Sequence, residues 1–224
     1  MARRLRRACA HSKLSLAMAN TRMNLLPNKR FLDLHATLID HLAKIARLVD
    51  YRNFPSLCDA GIFRWLNGVF ASVGATEGSI WLLDQEKEHL VIAYNSGPNA
   101  EKLLGFKQPL SRGLLGTVFA TEQGLVENKV YQNAQHDHQL NRMLRQTTYA
   151  MIVVPFYFLN ERRGVISCVQ LVDIFMEPSE AISAEMNPSG FTGNDVTVLK
   201  DAAAILRELV DFRLLQTTVG WNPL

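Results

Sequence analysis

The 224 residues hold only three cysteines, Cys9, Cys58 and Cys168, and no two of them form a Cys-x-x-Cys pair. That spacing excludes a zinc knuckle and a disulfide framework, and it fits a reducing cytoplasm. No apolar run approaches the ~20 residues needed to cross a bilayer. The glycine-bearing stretch "RGLLGTVFATEQGLVEN", residues 112–128, has neither a following Lys-Ser/Thr pair nor a dinucleotide fingerprint, so it is no phosphate loop. Acid is missing from residues 1–32, which carry the eight bases Arg3, Arg4, Arg6, Arg7, Lys13, Arg22, Lys29 and Arg30. The formal net charge of +3 becomes −5 once those eight are set aside. The remainder is mildly acidic, which argues against bulk nucleic-acid binding.

What is present suits one globular domain: 48% of the residues are hydrophobic, enough to bury a full core. Residues 1–27 are expected to form a disordered basic leader. Their Arg-, Ala- and Ser-rich composition also suits an organelle transit peptide, a weak anchor for an anionic surface, or an internal start at Met18 or Met23. Residues 28–217 are expected to form the domain and residues 218–224 a tail.

Apolar residues Phe31, Leu34, Leu38, Leu42, Ile45 and Val49 recur at helical steps behind Asn28 as a cap. A second helix is expected from Ser56, with Asp59 in its first turn and an apolar face of Cys58, Ile62, Trp65, Val69 and Val73. "GSIWLLD" and "HLVIAYN" read as an antiparallel hairpin, and "YAMIVVPFYF" and "GVISCVQLVD" as another. Between the hairpins lie a short helix from Gly113, a brief strand at residues 125–127 and the polar stretch 131–146. After a long loop at 174–190, Thr192 caps a last helix with Asp195 three residues in. Hairpin strands with helices at both ends predict an α+β layer architecture around an antiparallel sheet.

The stretches "SRGLLGTVFATEQGLVEN", "YAMIVVPFYFLNERRGVISCVQLVD" and "FTGNDVTVLKDAAAILREL", in this order, resemble a GAF domain over residues 30–215. In that likeness Pro155 ends a core strand and Gly164 starts its return. The resemblance implies a central antiparallel sheet of five or six strands. It places the terminal helices on one face, where they serve dimerisation, and short helices and lid loops over a ligand pocket on the other. The chain looks closest to the phosphodiesterase-type subclass, whose motif is Asn-Lys, a spacer, then Phe-x-x-x-Asp-Glu. Phe191 and Asp195 fit that motif, whereas Asp173-Ile174 and Val196 stand where Asn-Lys and the final Glu belong. The Lys–Asp contact of the motif cannot form, which argues against a cyclic nucleotide. No Cys-His pair follows Gly113, so phytochrome-like chromophore attachment is unsupported.

Gly113 and Gly116 are expected to let the short helix approach the sheet and so form one wall and lid of the pocket. His136-Asp137-His138 is the densest group of potential metal ligands, but no third ligand is evident and a solvated segment explains it. The resemblance sets this segment where ligands meet the lid, which makes Asn133, His136 and Asp137 candidates for ligand hydrogen bonds. Alternation puts Ile166, Cys168 and Gln170 on one face of a strand and Val165, Ser167, Val169 and Leu171 on the other. Cys168 is a redox-sensing pocket residue or an inert core thiol. Gln170 needs a hydrogen-bond partner, from a ligand or from a neighbouring backbone group. Tyr94 could stack on a planar ligand and Arg112 could meet an anion, or stay on the surface. Trp81 packs under the helices or faces the pocket. With Asn128 and Tyr149, the candidate pocket is Tyr94, Arg112, Asn128, Asn133, His136, Asp137, Tyr149, Cys168 and Gln170, with Asp173, Phe191 and Asp195 as degenerate motif positions.

The expected function is a non-catalytic sensory module. A small molecule of unknown identity would shift the lid, residues 112–148, and dimeric terminal helices would pass the shift to a protein partner. No metal site is expected, and the cofactor is unknown. A ligand-free scaffold with a filled pocket is the alternative. Some GAF proteins reduce free methionine sulfoxide with cysteines in the lid, but this chain has none between Cys58 and Cys168.

Overall fold

The computed structural model describes residues 29–172 and 188–220. The expected leader, Asn28, Asp173, residues 174–187 of the long loop and residues 221–224 lie outside them. Helix α1 spans Lys29–Leu48 and α2 spans Ala60–Ser72. Strands β1 (Glu77–Leu83) and β2 (His89–Asn95) form the first hairpin. Then follow α3 (Ala100–Leu103), β3 (Lys107–Pro109), α4 (Gly113–Thr121), β4 (Leu125–Asn128) and α5 (Gln139–Leu144). The long hairpin of β5 (Thr147–Phe158) and β6 (Glu161–Val172) precedes α6 (Gly193–Val219). The six strands form one antiparallel sheet in the order β3-β2-β1-β6-β5-β4. This is the expected α+β architecture.

Several boundaries differ from the expectation. Residues 54–57 form a tight 3₁₀ turn instead of the first turn of α2. Pro55 fits that turn, and Asp59 becomes the cap itself, its Oδ1 accepting from the Ile62 N–H at 3.0 Å. The buried stripe of α2 is Leu66 and Phe70, leading to Val73, so the helix is rotated by one residue from the predicted face. Among the described side chains, Leu42, Ile45 and Ala46 in the second half of α1 pack on the core, as does Val49 just past its end, while Leu34 is exposed. Pro155 and Gly164 lie inside the β5–β6 ladder, paired with Val165 and Phe156, and do not bound it. At Thr192 the capping box forms as predicted, and α6 runs two residues past the expected domain end.

The sheet separates two cores. On one side α1, α2 and α6 cover Ile80, Leu82, Ile152, Val154, Phe156, Ile166 and Cys168. On the other, α3, α4 and α5 sit over Trp81, Leu90, Ile92, Met151, Val153, Val165 and Val169. The second layer is thin and built of short helices, and it leaves an internal space against the sheet.

Candidate functional site

That space is a cavity of about 60 Å³ between the sheet and the lid. Its floor is Glu77, Ser79 and Trp81 of β1, Asn95 of β2, Thr148 and Met151 of β5, and Ser167, Val169 and Leu171 of β6. Its roof is Leu103, Leu114, Leu115, His136, Asp137, Leu140, Asn141 and Leu144, with Gln108 and Gln146 at the margins.

Most of its polar groups are held by neighbours. The Trp81 indole N–H donates to Ser167 Oγ at 3.0 Å, and Asn95 Nδ2 donates to Ser79 Oγ at 2.9 Å. Thr148 Oγ1 donates to Asn141 Oδ1 at 2.8 Å, tying floor to roof, and Gln108 Nε2 donates to the Arg112 carbonyl at 3.2 Å. These bonds fix the walls as buried polar groups require. Glu77 is 7% exposed. Burial pushes its carboxyl above the usual carboxylate range, opposed by a hydrogen bond from Asn95. Gly97 clears the space it occupies, because a Cβ there would collide with the Glu77 carboxylate.

His136 is the exception to satisfaction. Its Nε2 is buried and has no hydrogen-bond partner. Burial, with His138 close by, lowers the ring to about 4, so it is neutral at physiological pH. The two rings meet edge to face at 4.8 Å. Among the described residues no three His, Cys, Asp or Glu side chains converge as metal ligands.

Of the nine candidate pocket residues, the structure brings His136 and Asp137 to the cavity and the other seven elsewhere. Two of the seven are turned away by β-bulges. The register shifts where Ile80 pairs with Tyr94 and Trp81 with Ile92. Alternation is broken at Ala93, and Tyr94 faces α2, stacked on Phe63 at 4.2 Å and donating to Asn67 Oδ1 at 2.6 Å. A second shift between Thr148 and Ala150 turns Tyr149 onto Tyr131 and gives the cavity Thr148 instead.

Cys168 and Gln170 do share a face, but it is the face under the long helices. Cys168 is fully buried there, and burial pushes its thiol up. The Gln170 amide is spent on backbone: Nε2 donates to Gly74 O at 3.1 Å, and Oε1 accepts from Gly190 N at 2.9 Å. Asn128 clamps Phe191, donating to its carbonyl at 2.8 Å and accepting from its N–H at 2.7 Å. Asn133 Nδ2 donates to Glu127 Oε2 at 2.7 Å. Arg112 lies on an open groove outside α4. Of the motif positions, Phe191 is core, and Asp195 is committed to Thr192 with two bonds of 2.7 Å. Asp173 lies outside the described residues. Gly116 permits a close approach, though to the Leu110 carbonyl of the preceding segment and not to the sheet.

The reading of the sequence missed Glu77, Ser79, Asn95, Gln108, Asn141, Thr148 and Ser167. A signal existed in part: Ser79 and Ser167 are polar residues inside otherwise apolar central strands, directly paired with one another.

No family model and no curated protein matches the sequence. Solved structures do match the fold. The GAF domain of an Acinetobacter phosphoenolpyruvate-protein phosphotransferase is 18% identical, covers 82% of this chain and 97% of its own, and superposes with a TM-score of 0.53. The free methionine-R-sulfoxide reductase of Neisseria meningitidis is 18% identical over 87% of this chain and 95% of its own, with a TM-score of 0.50. The GAF-B domain of DevS from Mycobacterium smegmatis is 15% identical over 71% of this chain and 98% of its own, also at 0.50. The fold is therefore GAF-like.

Proposed function

We propose that this GAF-like chain is a non-catalytic regulatory module that takes a small molecule between sheet and lid and relays its presence through α1 and α6. The observation that carries this reading is the cavity itself. It is enclosed by short helices, lined by ordered polar groups, and left with one buried imidazole nitrogen unpaired. Nearly all buried polar groups in folded proteins find a partner, and a ligand in the cavity would supply one to this nitrogen. At about 60 Å³ the space is well below the ~300–1,000 Å³ of a typical ligand site. A ligand of more than a few heavy atoms has to displace α4, α5 and the segment between β4 and α5. Whether it displaces the lid or fits beneath it, a ligand signals by binding two arrangements of the lid with different affinity.

The reductase reading draws no support from the lining. Neither described cysteine reaches the cavity, and both lie under the long helices on the opposite side of the sheet. Burial pushes Cys58 up to about 12 and Cys168 higher still, so neither supplies a thiolate at neutral pH.

Native mass spectrometry of gently purified protein, compared with its denatured mass, tests the proposal. A discrete additional mass released on denaturation is expected. A bare chain whose stability is unmoved by small amines, amino acids and nucleotides would favour a scaffold. Thiol-dependent turnover of free methionine sulfoxide would overturn the non-catalytic reading.

A further inference from the structure

Taking the cavity as a ligand site, we propose that its ligand is a small organic cation, an amine of a few heavy atoms, with the ammonium seated against the Glu77 carboxylate. Among the described residues that line the cavity there is no Lys or Arg; the ionisable ones are Glu77, Asp137 and His136. An anion would enter with no opposing charge and would meet a carboxylate on the floor. Glu77, the first residue of a central strand, has the least exposed surface of the three, and none of the ion pairs among the described residues includes it. Among the described residues, Asn95 is the side chain whose hydrogen bonding favours its charged form. A buried carboxylate without a cation is costly, and a carboxylate accepts more than one donor. An ammonium supplies both the charge and the missing donors.

The rest of the cavity fits the remainder of such a molecule. Leu114, Leu115, Leu144 and Met151 offer apolar wall to a short alkyl stem. At the roof, the unpaired Nε2 of His136 is available to a second polar group. Asp137 also borders the outer groove, where Arg112 stands, so Glu77 is the discriminating charge.

The test uses the full-length chain labelled with ¹⁵N. The Trp81 indole N–H, which lies in the cavity, reports on occupancy. Three probes of similar size are titrated at neutral pH and matched ionic strength: ethylammonium chloride, propionamide and sodium propionate. Ethylammonium is expected to move the Trp81 signal saturably, and Glu77→Gln to weaken that response by about tenfold or more. Equal or tighter binding of propionamide or propionate, or an undiminished response in E77Q, overturns the cation assignment and leaves the ligand site standing. If no probe moves the cavity signals, the small-cation assignment falls, and the ligand-site reading is decided separately by the native mass measurement. The comparison of probes needs no variant, so the test holds even if E77Q does not fold.

Discussion

At the scale of single residues, His136 couples the lid to pH. Its ring is held at about 4, against 6.5 for the unperturbed group. As pH falls, the unfolded chain binds the proton first, so stability is untouched above the unfolded value and declines between the two. The full loss is on the order of 3 kcal/mol or less. Urea midpoints measured from neutral pH down through the folded value should fall more steeply in the wild type than in His136→Gln. Equal slopes would show that the imidazole is solvated. Cys58 and Cys168 make the opposite kind of prediction, an absence of chemistry. Both are buried, and iodoacetamide should leave them unmodified in the native protein and alkylate both in urea, read by peptide mass. Native labelling of Cys168 would mean that the sheet opens far more readily than its packing implies.

At the scale of elements, two glycines separate propensity from packing. Gly68 sits inside α2 with nothing near the position of a Cβ, so Gly68→Ala should stabilise by about 0.5–1 kcal/mol. Gly116 lies in α4 against the Leu110 carbonyl, so Gly116→Ala should destabilise by about 1–3 kcal/mol despite the better helix former. Thermal or denaturant midpoints decide both; a stabilised G116A would mean that α4 floats free of the segment before it. The elements were largely legible in the sequence: both hairpins, the short helix from Gly113, the strand after it and the box at Thr192. The short β3, "KQP", and α3, "AEKL", were not, because neither carries an apolar run or a recurring apolar position, as the equally short β4 does with Leu125-Val126. The cavity was legible only at His136 and Asp137. Tyr94 was misplaced because it follows the unpaired Ala93, and Tyr149 because it is itself the extra residue of a bulge; one such residue breaks the alternation of faces.

At the scale of the whole molecule, the terminal helices leave several large apolar side chains uncovered. Leu34 (62%), Ile39 (52%) and Leu48 (66%) of α1 and Ile205 (50%) of α6 are exposed, and α1 and α6 pack together. Such a concentration of apolar side chains on paired helices is what a second copy would cover. Sedimentation equilibrium should give a dimer, and Ile205→Glu should shift it toward monomer without loss of helicity. A monomeric wild type would remove the relay from the proposed function. No helix among the described residues is long and apolar enough to cross a membrane.

The sequence by itself determined the antiparallel hairpins, the capped last helix and the partition of β6 into two sets of alternating residues. Alternation states which side chains go together; it is symmetric between the two faces and cannot say which face meets the lid. Only the tertiary structure decided that Ser167 and Val169 face the cavity while Cys168 and Gln170 lie under the long helices. It did so because the long helices cover one face completely and the short ones leave a gap over the other. The bond from Trp81 to Ser167, 86 positions apart, shows why the site was hidden: its members meet only once the sheet closes in the order β2-β1-β6-β5.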